Sequence, residues 1–423
     1  MIIDGWDDRL HQSIYAMLHV APDMYLIVLS LQDMTGERGT ANNLLEVSNK
    51  SMEVMGIQDA VGTIALTTDN PAIMRSFRKL FVRQYWWILD FACFLHTANT
   101  AVGEICAFPT IKKVISAANK VVTFFDSSHY WGGQLVEEAK KINITRKLKK
   151  NCESRWYAIT LLANSVREHR QALQAICVRD DARRKVNGLS AVNADVIRTV
   201  LSNESFWPRL NQLLRAVKPL VDVIGACETR KTTLADCVIQ LLHCAKTLRD
   251  ISTESEFDDP EFITHTKNVF NKRFNLIVTP IHVLALFLHP YYRRLAVSCP
   301  ETGYSFHDLA EIAMKLSQKW RWSRLQAECL IEDLKRYNAC KSPFEGGADD
   351  ALAWWTDLSI NCTEHPLKTM AITLASIWPQ SAEVERFFGR LDGVQTPDRS
   401  NLSVDTMEKL GKIKTHLVGQ VKE

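Results

Sequence analysis

Gly62–Asn70, GTIALTTDN, restricts the fold more than any other stretch of the chain. Ile64 and Leu66 alternate with Thr63, Ala65 and Thr67, which is the spacing and the chemistry of a pleated strand. That strand runs into Thr68-Asp69-Asn70. Pro71 suits the first turn of a helix, and Ile73, Phe77, Leu80 and Phe81 then recur at helical spacing. A carboxylate at the C-terminal end of a buried strand, where the chain turns into a helix, is where α/β sheets place ligands and metals. The same aspartate also reads as a simple helix cap. Asp69 therefore needs partners from elsewhere in the chain to make a site.

The surrounding elements supply one. Ile2 and Ile3 read as a strand shorter than usual, leading straight to Asp4-Gly5-Trp6. Ser13–Val20 and Met24–Leu31 read as two more strands, joined through Ala21-Pro22-Asp23. Asp33–Gly39 is a turn, and Asn42–Met55 carries a helical stripe at Leu44, Leu45, Val47, Met52 and Met55. Tyr85–Phe91 reads as a fifth strand. The first 91 residues thus read β-β-β-α-β-α-β, the order of a ribonuclease H-like core. In that order the first and fourth strands are neighbours, which brings Asp4 beside Asp69. Two carboxylates held close repel unless a cation lies between them. Hard oxygen ligands suit Mg²⁺, or Mn²⁺ in its place.

Composition narrows the function classes. The chain has 423 residues, enough for two or three domains. Its formal charge of +3 names no partner, so any nucleic-acid argument must rest on local clusters. The 11 cysteines are odd in number and scattered without a CxxC pair, which favours reduced thiols inside a cell over a disulfide framework. The longest apolar runs, Met24–Leu31 and Val283–Leu288, are too short to span a bilayer, so no membrane partner is expected. Cys93 and His96 form a CxxH, but no second ligand pair follows at matching spacing, so a buried thiol and a helix-start histidine are expected and no structural zinc.

From about residue 109 the pattern turns helical. Ile111–Phe125 is one amphipathic segment, broken by Ser127-Ser128-His129 and Gly132-Gly133. Lys140–Lys150 (KKINITRKLKK) holds six basic residues and no acid, among them Arg146, Lys147, Lys149 and Lys150. Arg155-Trp156 follows. A basic run ending in an aromatic fits a phosphate-and-stacking surface, and equally a solvated helix face beside a core tryptophan. Cys340–Asp350 reads as a linker. Near the C-terminus Ser381 reads as the cap of a helix with Val384, Phe387, Phe388 and Leu391 on its stripe and Glu385 at the edge. Ser403 reads as the cap of a last helix, with Val404, Met407, Leu410, Ile413 and Leu417 inward.

Ser381-Ala382-x-x-Glu385-Arg386-Phe387-Phe388, followed by Arg399-Ser400-Asn401-Leu402, resembles the C-terminal block of the hAT superfamily of DNA transposases. The tryptophan pair Trp354-Trp355 upstream, Asp4-Gly5-Trp6, Thr68-Asp69-Asn70, Cys93-x-x-His96, Arg155-Trp156 and Leu284–Pro290 look like the family's blocks in the family's order. The first part also resembles a domain of unknown function found in hAT-derived proteins. The resemblance implies an α+β (mixed α/β) fold: a ribonuclease H-like five-stranded mixed sheet, a large all-helical insertion, and C-terminal helices completing the core. It divides the chain into residues 1–130, 131–345 and 346–423. It implies a D-D-E triad on Asp4, Asp69 and Glu385 that holds Mg²⁺ or Mn²⁺ for DNA cleavage and strand transfer; Glu383 is the rival third acid, at the wrong spacing for the block. It further implies that Cys93 and His96 contact DNA near the cut and that Arg155 and Trp156 engage the DNA end, the tryptophan by stacking. Trp354, Trp355, Phe387, Phe388 and Leu391 would form a dimer face. The implied partners are transposon-end DNA and a second copy of the chain, with no small-molecule substrate, in the nucleus. Two departures stand out: no BED-type zinc finger precedes the block carrying Asp4, and Gly389 stands where serine is common. They leave an N-terminally truncated transposase, or an inactive transposase-derived DNA-binding or dimerisation protein, as the alternative expectation.

Overall fold

The structure, a computed structural model, describes residues 1–8, 10–21, 25–150, 157–184, 191–298, 303–395 and 402–420. It is an α+β protein with a five-stranded mixed sheet and many helices. The chain groups into two compact units. One comprises Met1–Thr97, Ala226–Leu242 and Asn275–Glu423 and contains the sheet; the other, Ala98–Gly225 and His243–Phe274, is helical.

The strands are β1 (Ile2–Asp7), β2 (Ser13–Val20), β3 (Leu26–Asp33), β4 (Ala65–Thr68) and β5 (Leu89–Ala92). They lie in the order β3-β2-β1-β4-β5. β1, β2 and β3 pair antiparallel, while β1–β4 and β4–β5 pair parallel, so the first and fourth strands are neighbours as expected. β1 is longer than its two isoleucines suggested. Its turn-like residues Asp4–Asp7 pair on, with Asp7 opposite Ser13, because β2 supplies a full ladder. Gly5 leaves room there for the ring of Tyr15 on β2, which would stand in tight contact, at 3.1 Å, with a Cβ. β5 starts later than expected, because α2 (Ala72–Gln84) runs on and Tyr85 closes it, donating its N–H to Phe81 O at 2.8 Å.

Strand alternation assigns the two faces of the sheet. Ile3, Met17, Leu29 and Leu66 pack under α1 (Ala41–Val54) and α2, against Leu44, Met52, Phe77 and Phe81. Ile2, Ala16, Leu18 and Val28 face the opposite way, against Trp378, Val384, Phe387 and Leu391. The helix Ala382–Asp392, which carries Glu385, therefore covers the Ile2 face. Asp4, two residues on from Ile2, points to that same face.

Residues 275–345 group with the sheet and not with the helical insertion, because helix Pro280–Leu288 and its neighbours bury Ala65, Leu89 and Phe91. The expected linker at Cys340–Asp350 is packed: Phe344 is fully buried, and Arg293 donates to the carbonyls of Tyr337 and Phe344 at 3.1 and 2.9 Å.

α3 (Phe94–Cys106) has its first turn, with His96, in the sheet unit; the helical unit continues from Ala98 into α4 (Pro109–Ser127) and α5 (His129–Lys141). The break falls at Ser128, whose hydroxyl accepts the Trp131 N–H at 3.2 Å, whereas Gly132 and Gly133 sit inside α5. Gly132 belongs there because a Cβ would stand 2.5 Å from Phe125 O. Among the described residues no helix is long and apolar enough to cross a membrane.

Candidate metal centre

Three neighbouring strands converge on one point. Ile3 of β1 is paired with Thr68 of β4, and Thr68 with Ala92 of β5. Asp4, Asp69 and Cys93 each follow directly on one of these paired residues, so they lie in a row across the sheet, Asp4 within β1 and the other two at the C-terminal ends of β4 and β5. Cys93 donates its N–H to Thr68 O at 2.6 Å, and Phe94 donates to Pro379 O at 2.9 Å. Those two bonds start α3, placing His96 in its first turn above Asp4. On the facing side Thr67 Oγ1 donates to Trp378 O at 2.9 Å, which ties β4 to the segment entering the Glu385 helix.

The groups that meet there are Asp4, His96 and Glu385, whose ligand atoms all lie within 4.8 Å of one another. His96 Nε2 is 4.0 Å from Asp4 Oδ2 and 3.7 Å from Glu385 Oε1. Asp4 is buried; its carboxylate accepts from Gly5 N–H at 2.9 Å and from Ser381 Oγ at 3.1 Å. Glu385 is about one-third exposed, as its edge position in the helical stripe implied. Two acids and an imidazole in this arrangement could hold a metal ion.

Charge is under tension throughout. Burial raises the Asp4 pKa, Glu385 adds to the rise, and His96 with the hydrogen bonds from Gly5 and Ser381 opposes it. Burial and then Asp4 push Asp69 up to about 6, against the pull of His96 and Arg78. Burial would lower His96, but Cys93, Asp4 and Glu385 outweigh it and hold the imidazole up at about 10. The imidazolium thus stands as a counter-ion among the acids where a bound cation would otherwise sit.

The expected site residues fall into place unevenly. Asp4 and Glu385 belong to the three-group cluster, and His96 takes the third place expected of Asp69. Asp69 stays electrostatically coupled to Asp4, and its Oδ1 is buried without a hydrogen-bond partner among the described residues. Glu383, the rival acid, is fully buried and clamped by Arg230 at 2.9 and 2.7 Å and by Arg386, which hold its pKa low despite burial. Cys93 is buried; its Sγ accepts the Ser381 N–H at 3.3 Å and lies 3.2 Å from Ser381 Oγ. Arg146, Lys147, Lys149 and Lys150 follow α5 on an exposed segment of the helical unit. Arg155 and Trp156 lie outside the described residues.

The expected dimer face needs correction. Trp355, Phe387 and Leu391 are fully buried, Phe388 nearly so, and Trp354 is half-buried against the core. Trp355 Nε1 donates to Leu288 O at 2.8 Å, and Phe388 stacks on Trp6 at 5.3 Å. These side chains complete the chain's own core. The last helix, Val404–Gln420, buries Met407 but exposes Leu410, Ile413 and Leu417, which the stripe had turned inward.

Two further residues shape the site. Arg78 on α2 donates to Thr68 Oγ1, Asp69 O and Asn70 Oδ1 at 2.6, 2.6 and 2.7 Å, and so fixes the turn that carries Asp69. Ser381 stands at the start of the Glu385 helix without capping it. No family model matches the chain, and no curated protein matches it.

Proposed function

We propose that the protein is a hAT-transposase-like DNA-cleaving enzyme built on a ribonuclease H-like core. The observation that carries the reading is the meeting of Asp4 of β1, His96 of α3 and Glu385 of the helix Ala382–Asp392, with Asp69 at the end of β4 coupled to Asp4. The strand order and the parallel β1–β4 pairing support the fold. The exposed Arg146, Lys147, Lys149 and Lys150 support a nucleic-acid partner through phosphate contacts, and with it a nuclear location. Asp4, His96 and Glu385 would hold the ion, Asp69 would add a third carboxylate, and Arg78 fixes the turn bearing it. A bound Mg²⁺ or Mn²⁺ would supply Lewis-acid polarisation of a phosphodiester and a nucleophile at neutral pH.

The test is nicking of a duplex that carries the sequences flanking the gene, with Mg²⁺ or Mn²⁺, by the wild type and by Glu385→Gln. Cleavage should require the ion and fall by at least about 10³-fold in the variant. Cleavage that survives the substitution, or none with either ion, would overturn the reading.

A further inference from the structure

Ser381 occupies the N-cap position of the Glu385 helix yet makes no capping bond. Gln380 Oε1 takes the Ala382 N–H instead, at 2.5 Å. The serine hydroxyl, freed from capping and fully buried, has three neighbours: Asp4 Oδ2 at 3.1 Å, Cys93 Sγ at 3.2 Å and His96 Nδ1 at 3.3 Å. A hydroxyl offers one hydrogen and two lone pairs. The carboxylate is the strongest acceptor of the three, so the hydrogen goes to Asp4. The thiol is a weak acceptor and already receives the Ser381 N–H at 3.3 Å. The serine oxygen then accepts from His96, which requires the proton on Nδ1. That leaves Nε2 as the ring nitrogen facing Asp4 and Glu385, at 4.0 and 3.7 Å. When a metal displaces the Nε2 proton of the imidazolium, one buried hydroxyl therefore orients an oxygen ligand and keeps the remaining proton on Nδ1.

We propose that Ser381 is a positioning residue that holds Nδ1 of His96 protonated and turns Nε2 toward Asp4 and Glu385, making a mixed nitrogen–oxygen site that takes a first-row transition ion, Mn²⁺ or Zn²⁺, ahead of Mg²⁺. The inference rests on the metal-holding reading above. Mg²⁺ keeps oxygen ligands and its own water, whereas an imidazole nitrogen favours the transition ions. An all-carboxylate triad would have left Mg²⁺ the better match; the presence of His96 in the third place changes the preference.

Binding of Mn²⁺ and of Mg²⁺ is measured on the full chain, wild type and Ser381→Ala, by electron paramagnetic resonance of free Mn²⁺ with Mg²⁺ as competitor. The wild type should bind Mn²⁺ at least ~10-fold more tightly than Mg²⁺. Ser381→Ala should lose about 10–100-fold in Mn²⁺ affinity and less for Mg²⁺, so that the preference narrows. An unchanged preference in a folded Ser381→Ala protein overturns the proposal while leaving the metal-holding reading intact. A wild type that binds neither ion overturns that reading and the proposal together. Should the variant not fold, nitrogen-15 NMR of the Zn²⁺-loaded wild type decides: a protonated Nδ1 with the metal on Nε2 supports the relay, and the reverse assignment sinks it.

Discussion

Under the proposed function, Asp69 sets stability against chemistry within one side chain. Its folded pKa rises from the ordinary 3.8 to about 6 through burial and the charge of Asp4. An acid raised on folding favours its neutral form, so stability is complete below the unfolded value and falls as pH rises toward the folded one. At pH 7 its charge costs the metal-free protein about 1–3 kcal/mol after allowance for partial exposure. Asp69→Asn should therefore raise the melting temperature of the metal-free protein and abolish metal-dependent cleavage; a lower melting temperature would show that the carboxylate is a structural group. Asp69 was legible as a candidate because a strand pattern runs straight into it, whereas Asp4 and Glu385 were singled out through the order of the elements and the resemblance of their blocks. The place of His96 beside Asp4 and Glu385 was not legible, since it is set by the bonds from Cys93 and Phe94 that start α3. Ser381 looked like a cap because serine at that position usually is one; here Asp4 takes the hydroxyl, and Gln380 accepts the N–H of Ala382, the first residue of the helix. Arg78 gave no signal at all, lying between Phe77 and Phe81 on a helix whose stripe already accounted for its neighbours.

Among the elements, the helix Pro280–Leu288 is buried on every side and holds one titratable side chain, His282. Its Nδ1 lies 2.9 Å from Thr279 Oγ1, and its ring meets Phe91 edge-on at 5.3 Å. Burial lowers its pKa to about 4. A base depressed on folding is protonated first in the unfolded chain, so its contribution is intact above about 6.5 and lost as pH falls toward 4. Between pH 7 and pH 5 this site should cost about 2 kcal/mol in a urea titration. His282→Gln should be less stable at pH 7 and should lose that part of the slope; an unchanged slope would place the titration elsewhere. The two C-terminal helices carry a second test. A Cβ on Gly411 would lie 2.7 Å from the Phe387 ring, so their approach is set by a glycine against a phenylalanine. Gly411→Ala should cost about 1–3 kcal/mol and Phe387→Ala about 3–5. If Phe387 is core, those losses do not change with protein concentration; if it lay in an interface between copies, they would. Element types were legible where the period was clean: β2 runs over Ser13–Val20, as its composition implied. Boundaries slipped where a neighbour overruled local chemistry, as β2 does in carrying β1 through Asp4–Asp7.

For the whole molecule, a net charge of +3 conceals an uneven surface. Lys140 and Lys141 end α5 in exposed ion pairs with Glu137 and Glu138, and Lys150 pairs with Asp126. Arg146, Lys147 and Lys149 lie exposed, with no acidic partner within 4.0 Å among the described residues. The backbone beneath them is anchored: Arg146 O lies 3.0 Å from the His169 Nε2 that bonds it, and Lys149 N–H donates to Ser165 Oγ at 3.0 Å. A segment whose main chain is held while its cations stay in water loses little entropy when those cations meet phosphates. The run of basic residues was legible in the sequence; its anchoring was not, because His169 and Ser165 come from a later helical pair. If the segment contacts a nucleic-acid backbone, replacing Arg146, Lys147 and Lys149 together with alanine should weaken DNA binding uniformly across sequences. The slope of log affinity against log salt should fall by about 2–3, near 0.9 for each phosphate no longer neutralised. The melting temperature should barely move, since the exposed side chains hold no core. An unchanged salt slope with normal affinity would assign the phosphate contacts to another face of the molecule, and loss of binding at one sequence only would mean that these residues read bases.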